Sequence, residues 1–398
     1  MLRRGRGIGR RRLSAAPEVP TWRIPYIAAL AAMTVLALGL RAAYGWRLGI
    51  APHAWSIVAS ALVTPVVAAL AARKAGAAAG LTAGAAWTFL PAGVVAGVCY
   101  PQDTYAACAG ALALLAWSGA GGRRNAATWF AAAGALAGAA VAFRLAALAL
   151  PAYFLGETAY RLASRERPPG SRFFWLPGFA VFLIAAAALE VVHTRSPWGH
   201  VANVFAAGAE FYPNATSVIK RVFADAAAML FWDPLGFGAL VTFALAGVGI
   251  TIAGRRGDLR PYAFLLVGML LAFSFVTPHW RPYAPAILEP RRWLLAAIPA
   301  AVLAGGAVGP LWRAEGSPAT LRFWAGSFGL SYVLAVLFVN GNMPFAVVSF
   351  AALSVAAVAA LALAALTTRR PGAAALSARL AAVTVISLLA VPALTLFI

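Results

Sequence analysis

Of 398 residues, 63% are hydrophobic and only 11% charged, with a mean hydropathy of +0.82; a soluble domain is nearer half apolar and a quarter charged, so an ordinary soluble enzyme is excluded. With Pro 25, Gly 37 and Cys 2, the chain is not collagen-like, disordered or disulfide-stapled. The net charge of +21, from Lys+Arg 32 against Asp+Glu 11, would suggest nucleic acid in a soluble protein, but here the positive-inside rule is the first account of it.

The N-terminus carries Arg3, Arg4, Arg6, Arg10, Arg11, Arg12 and Arg23 ahead of the first apolar run. Span then follows span without a small-residue cleavage site. This predicts an uncleaved anchor with a cytoplasmic N-terminus. Apolar runs predict crossings at 25–44, 55–72, 76–99, 104–120, 128–143, 145–161, 173–193, 232–253, 261–278, 293–311, 322–339, 344–367 and 378–398. The fold class is therefore all-α: a polytopic membrane protein of about thirteen helices. Three parts follow: a basic cytoplasmic tail (1–24), a transmembrane module (25–311) with an outer loop at 194–231, and C-terminal transmembrane helices (312–398). Cys99 and Cys108 fall in or beside apolar spans and read as packing residues.

The charges support this topology. Of the 32 basic residues, 23 fall in segments it assigns to the cytoplasm, including Arg73, Lys74, Arg123, Arg161, Arg172, Arg255 and Arg260. Nine, among them Arg41, Arg144, Arg291 and Arg292, fall near the opposite face. The bias removes any need for a nucleic-acid partner, and the N-terminal arginines suit anionic lipid headgroups. Glu18, Glu157, Glu166, Asp258 and Glu315 lie among inner arginines and read as loop ion pairs of little consequence. Asp103, Glu190, Glu210, Asp225, Asp233 and Glu289 lie on the outer side, where chemistry is to be sought.

Three outer features carry it. In Tyr100-Pro-Gln-Asp103-Thr-Tyr105, Pro101 ends a helix and Asp103 or Thr104 caps the next; a carboxylate there is also a candidate base or cation ligand. Residues 128–161 read as a short helical hairpin of two pieces, each about 16 residues and below a full span, with Arg144 at its apex. That arginine either snorkels to the headgroups or presents its planar fork to phosphate. The Thr277–Trp293 loop brings Arg291 and Arg292 directly before a span, against the positive-inside bias, and its partner is either an outside anion or Glu289. Gly134 and Gly138 suit close helix packing in lipid. No Walker, Rossmann, metal-helix or nucleophile-elbow motif is present.

In order along the chain, the stretch from AARKAGAAAGLTAGAAWTFLPAGVVAGVCYPQDTYAACAGALALLAW through the basic turn GGRR to WFAAAGALAGAAVAFRLAALALPAYFL, the loop SPWGHVANVF and the late element PRRWLLAAIPAAVLAG resemble the GT-C superfamily of membrane glycosyltransferases. The likeness is greatest to the family 39 and aminoarabinose-transferase-like group, which includes protein mannosyltransferases. The resemblance covers most of the chain to about residue 305. It implies a GT-C fold, a polyprenyl-phosphate-linked sugar as donor, and transfer on the outer side of a bacterial-type cytoplasmic membrane. It further implies that Asp103 is the second-loop acid, Arg144 the basic residue of the hairpin, and Arg291 or Arg292 the arginine before the late span. These basic residues would hold the lipid phosphate. One family feature is missing: the first outer loop, YGWRLGIAPHA, holds no Asp or Glu, and His53 is its only titratable base. The catalytic acid then falls to Asp103, with Glu210 and Asp225 as alternatives. A divalent cation is compatible with Asp103, though one acid is not a metal motif. The competing expectations are a non-catalytic relative that binds lipid phosphate, and a transporter of a lipid-linked anion, which usually shows mid-span charges or inverted repeats.

Overall fold

The computed structural model describes residues 23–50, 53–121, 123–163, 170–194, 240–252, 257–275 and 294–312, and these are helical with no strand among them. The elements are α1 (Arg23–Arg47), α2 (Ala54–Ala75), α3 (Ala77–Thr88), α4 (Pro91–Cys99), α5 (Pro101–Gly119), α6 (Ala126–Phe143), α7 (Ala149–Ala163), α8 (Trp175–Thr194), α9 (Leu240–Ile252), α10 (Arg260–Phe275) and α11 (Leu294–Trp312). The tail 1–22, most of the outer loop 194–231, the 277–293 loop up to Trp293, and the spans placed at 322–339, 344–367 and 378–398 lie outside the described residues.

Among the described residues, four helical segments are long and apolar enough to cross a bilayer: Pro25–Arg47, Ala54–Ala75, Ala126–Phe143 and Gly170–Val192. The segment read as one span at 76–99 is instead two helices, α3 and α4, bent by 51°. Pro91 is the cause. It takes the first turn of α4, where its missing N–H costs nothing, whereas within one continuous helix it would break a hydrogen bond. Pro101 has the same role in α5, so it starts that helix rather than ending the one before.

The core lies around α11, whose residues Leu294 to Val308 are all buried. A helix apolar on every side belongs inside a bundle, and α11 packs on α2, α3, α5, α9 and α10. On one flank, α6 runs between α5 and α8. Here the small residues act as expected: a Cβ on Gly134 would run into the Trp175 carbonyl, and one on Gly178 into that of Ala131. The expected hairpin is not formed. α6 and α7 barely touch, because the chain turns at Arg144, which is extended (φ −151, ψ 123), and passes through a short 3-10 turn, Leu145–Leu148, into an α7 that packs towards α10. The partner of α6 is α8.

Candidate functional site

Asp103 and Arg144 come together, although 41 residues separate them in sequence. α5 and α6 lie side by side, so the start of one and the end of the other share one end of the bundle. Arg144 Nη2 donates to Asp103 Oδ2 at 2.9 Å, and Arg144 Nε lies 2.7 Å from Oδ1. The contact thus spans both carboxylate oxygens, with a hydrogen bond at Oδ2 and a close ion-pair contact at Oδ1. Asp103 is not the helix cap that its position suggested. Tyr100 occupies the N-cap of α5 and Asp103 lies inside the first turn, where a negative charge is favoured by the helix dipole. The two sides of the pair differ in access: the Asp103 side chain is 3% exposed and that of Arg144 30%. The arginine's Nη1 makes no hydrogen bond to a described residue, so the guanidinium has an outward edge. Beside it, the Tyr105 and Phe143 rings lie 5.3 Å apart, and Thr104 Oγ1 is buried without a hydrogen bond among the described residues.

A second polar cluster lies at the far end of α5, about 21 Å away by helix rise between Asp103 and Trp117. Its centre is Glu157, which sequence reasoning took for a loop ion pair of little consequence. Here its side chain is only 13% exposed. Trp117 Nε1 donates to Oε2 at 2.7 Å and Tyr153 Oη at 2.8 Å. Arg172 Nη2 donates to Oε1 at 2.6 Å and Arg161 Nε at 3.2 Å. The Arg172 guanidinium also sits 4.7 Å from the Trp117 ring centre, and that ring stacks on Phe154 at 4.2 Å. Glu157 is therefore the knot that ties α5, α7 and the turn before α8. The spacing Tyr153, Glu157, Arg161, four residues apart on one helix face, was the signal in the sequence.

Arg41, towards the end of α1, points into the bundle. It is fully buried; Nε donates to Ser60 Oγ at 2.6 Å and Nη1 to the Ala37 carbonyl at 2.9 Å. Ser60 Oγ in turn donates to the Gly93 carbonyl at 3.0 Å, joining α1, α2 and α4 next to the bend. His53 stands at the N-cap of α2 with no side-chain cap bond and is exposed. Glu210, Asp225, Arg291 and Arg292 lie outside the described residues. Among the described residues no three His, Cys, Asp or Glu side chains cluster as a metal site would require.

The sequence matches no protein-family model and no curated protein. Solved structures do match. ArnT from Cupriavidus metallidurans in the apo state aligns with 90% of this chain and 66% of its own length, at 18% identity and a TM-score of 0.50. ArnT from the same organism bound to undecaprenyl phosphate aligns with 94% of this chain and 77% of its own, at 17% identity and a TM-score of 0.51. The chain has the fold of ArnT. It is an all-α, polytopic membrane protein of GT-C-like architecture, and it spans about two thirds of the length of the apo ArnT chain. At this identity the likeness concerns the fold; chemistry has to be argued from the side chains.

Proposed function

We propose that this protein is a membrane glycosyltransferase that moves a sugar from a polyprenyl-phosphate carrier to an acceptor on the outer side of the membrane. The observation that carries the reading is the Asp103–Arg144 pair, set in a fold shared with a protein solved with undecaprenyl phosphate. In the proposed reaction an acceptor oxygen bonds to the anomeric carbon while the bond from that carbon to the carrier phosphate breaks. The acceptor proton passes to a carboxylate, and polyprenyl phosphate leaves with the electron pair. Such a step needs a base within reach of the acceptor and fixed positive charge where the phosphate gains negative charge.

Arg144 is assigned to the phosphate, since its partly exposed guanidinium has donors to spare beyond those on Asp103. Asp103 is the proposed base. A phosphate arriving at Arg144 competes with the carboxylate for the same guanidinium and loosens its hold on Asp103. Arg291 and Arg292 are proposed as further phosphate ligands. Glu210 and Asp225 are the alternative acids. The family 39 type and the orientation with an inner N-terminus belong to the same proposal, resting on sequence order and on the bias of basic residues.

One observation favours a second reading, a non-catalytic relative that retains lipid phosphate: Asp103 is 3% exposed and already held by Arg144. Lipid extracts separate the two. Cells lacking an active transferase accumulate the polyprenyl-phosphate sugar that it consumes, and wild type clears it on re-expression whereas Asp103→Asn does not. Equal clearance by Asp103→Asn removes Asp103 as the base; no accumulation on deletion removes the transferase reading.

A further inference from the structure

At the bend between α3 and α4, a buried polar network centres on Ser60 of α2 and has one charged member, Arg41 of α1. Ser60 Oγ accepts from Arg41 Nε and donates to the Gly93 carbonyl of α4. The Ser60 carbonyl accepts from Trp87 Nε1, at the end of α3, at 2.8 Å. One serine thus grips both arms of the bend that Pro91 makes. Arg41 lies in a helix long enough to cross a bilayer, and no carboxylate among the described residues pairs with it. Its Nη2 is buried without a hydrogen bond among the described residues. Such a charge is costly in a membrane span, and packing alone would be served as well by an apolar side chain.

α4 packs on α1 and α2, and its glycine face rests on this network. A Cβ on Gly93 would lie 3.3 Å from Arg41 Nη2, and one on Gly97 3.2 Å from Arg41 Cδ and 3.1 Å from Ser60 Cβ. Small residues four apart let the short helix settle against the arginine. At its other end α4 passes into α5 through a single residue, Tyr100, the C-cap of one and the N-cap of the other. Tyr100 makes no side-chain cap bond. The first turn of α5, which carries Asp103, is therefore held from one side by α4 and from the other by Arg144.

We infer that Arg41 is a positioning residue: it fixes α4 and, through Tyr100, where the Asp103 carboxylate sits relative to Arg144. The inference rests on the proposed role of Asp103 as base, and adds a residue that acts through the backbone rather than on substrate.

Full-length Arg41→Met and Gly97→Ala test it. The first removes the charge and keeps an unbranched side chain. The second leaves Arg41 in place and crowds α4 away from it; helix propensity favours that change, so it decides the matter should Arg41→Met fold poorly. At equal folded yield, one readout is the rate at which re-expression clears the polyprenyl-phosphate sugar from cells lacking the protein. The other is N-ethylmaleimide labelling of Cys99, the last residue of α4, in a Cys108→Ala background. Arg41→Met slows clearance by about a hundredfold, the cost of misplacing a reacting group by about 1 Å. It also changes the rate of Cys99 labelling, while the melting temperature in detergent does not fall. Gly97→Ala shifts both readouts in the same direction by less. Wild-type clearance by either folded variant overturns the inference, as does slowed clearance with unchanged Cys99 labelling. So does a loss of clearance that merely follows a lower melting temperature in both variants. A wild type that clears nothing overturns the transferase reading, and this inference with it; normal clearance by wild type and variants alike overturns the inference alone.

Discussion

Asp103 and Glu157 are both carboxylates held by arginine, and they differ in what is left over. Both oxygens of Glu157 are taken by buried donors, and its principal partner, the Arg172 side chain, is 7% exposed. That is structure: nothing remains to meet a substrate. Glu157→Gln keeps the shape but strands the Arg172 charge, and removing one side of such a pair costs about 3–5 kcal/mol. A thermal melt in detergent should show a large drop for this variant. Asp103→Asn should lower it less, because Arg144 at 30% exposed can turn to water. A smaller drop for Glu157→Gln than for Asp103→Asn would contradict the division of roles. The individual members of the Asp103–Arg144 pair were legible in the sequence, because acids are so few and because Arg144 interrupts an apolar stretch. Their pairing was not, since it depends on α5 and α6 lying side by side. Glu157 was misread for the opposite reason: surrounding arginines are the mark of an exposed loop, and its burial comes from Trp117 and Arg172 on other elements.

At the scale of elements, apolar run length located the described helices well, because a bilayer fixes how long such a run must be. It did not register helix breaks. Ala-rich sequence stays apolar across a bend, and only Pro91 marked the change from α3 to α4. The hairpin at Arg144 failed similarly, since two adjacent short helices in sequence need not be neighbours in space. The contact that replaces it, α6 on α8, is made by small residues whose backbones nearly touch. Gly134→Val puts a branched side chain against the Trp175 carbonyl. The cost is at least the roughly 1–3 kcal/mol of ordinary overpacking, because a backbone neighbour cannot rotate away. The expected outcome is less monodisperse protein by size exclusion and faster proteolysis between α6 and α8. Gly156→Leu, where space is open, serves as the matched control and should behave like wild type in both measurements.

For the whole molecule, membrane class followed from composition alone, and the GT-C-like fold from the order of low-information elements, each weak and only jointly telling. Arrangement across the bundle was beyond the sequence. The described helices place one polar pair at one end of α5 and a saturated polar knot at the other, about 21 Å apart by helix rise. This gives the two ends different chemistry: one end retains an arginine with donors to spare, and the other is closed by aromatic rings and ion pairs. The central claim is that the open end holds a polyprenyl phosphate through Arg144. Native mass spectrometry of the gently solubilised protein tests it most directly, comparing wild type with Arg144→Ala at equal folded yield. The account predicts a polyprenyl-phosphate or its sugar conjugate on the wild type and its loss from the variant. Retention of that lipid by Arg144→Ala, or ordinary phospholipids alone on a wild-type protein incubated with excess undecaprenyl phosphate, would contradict it.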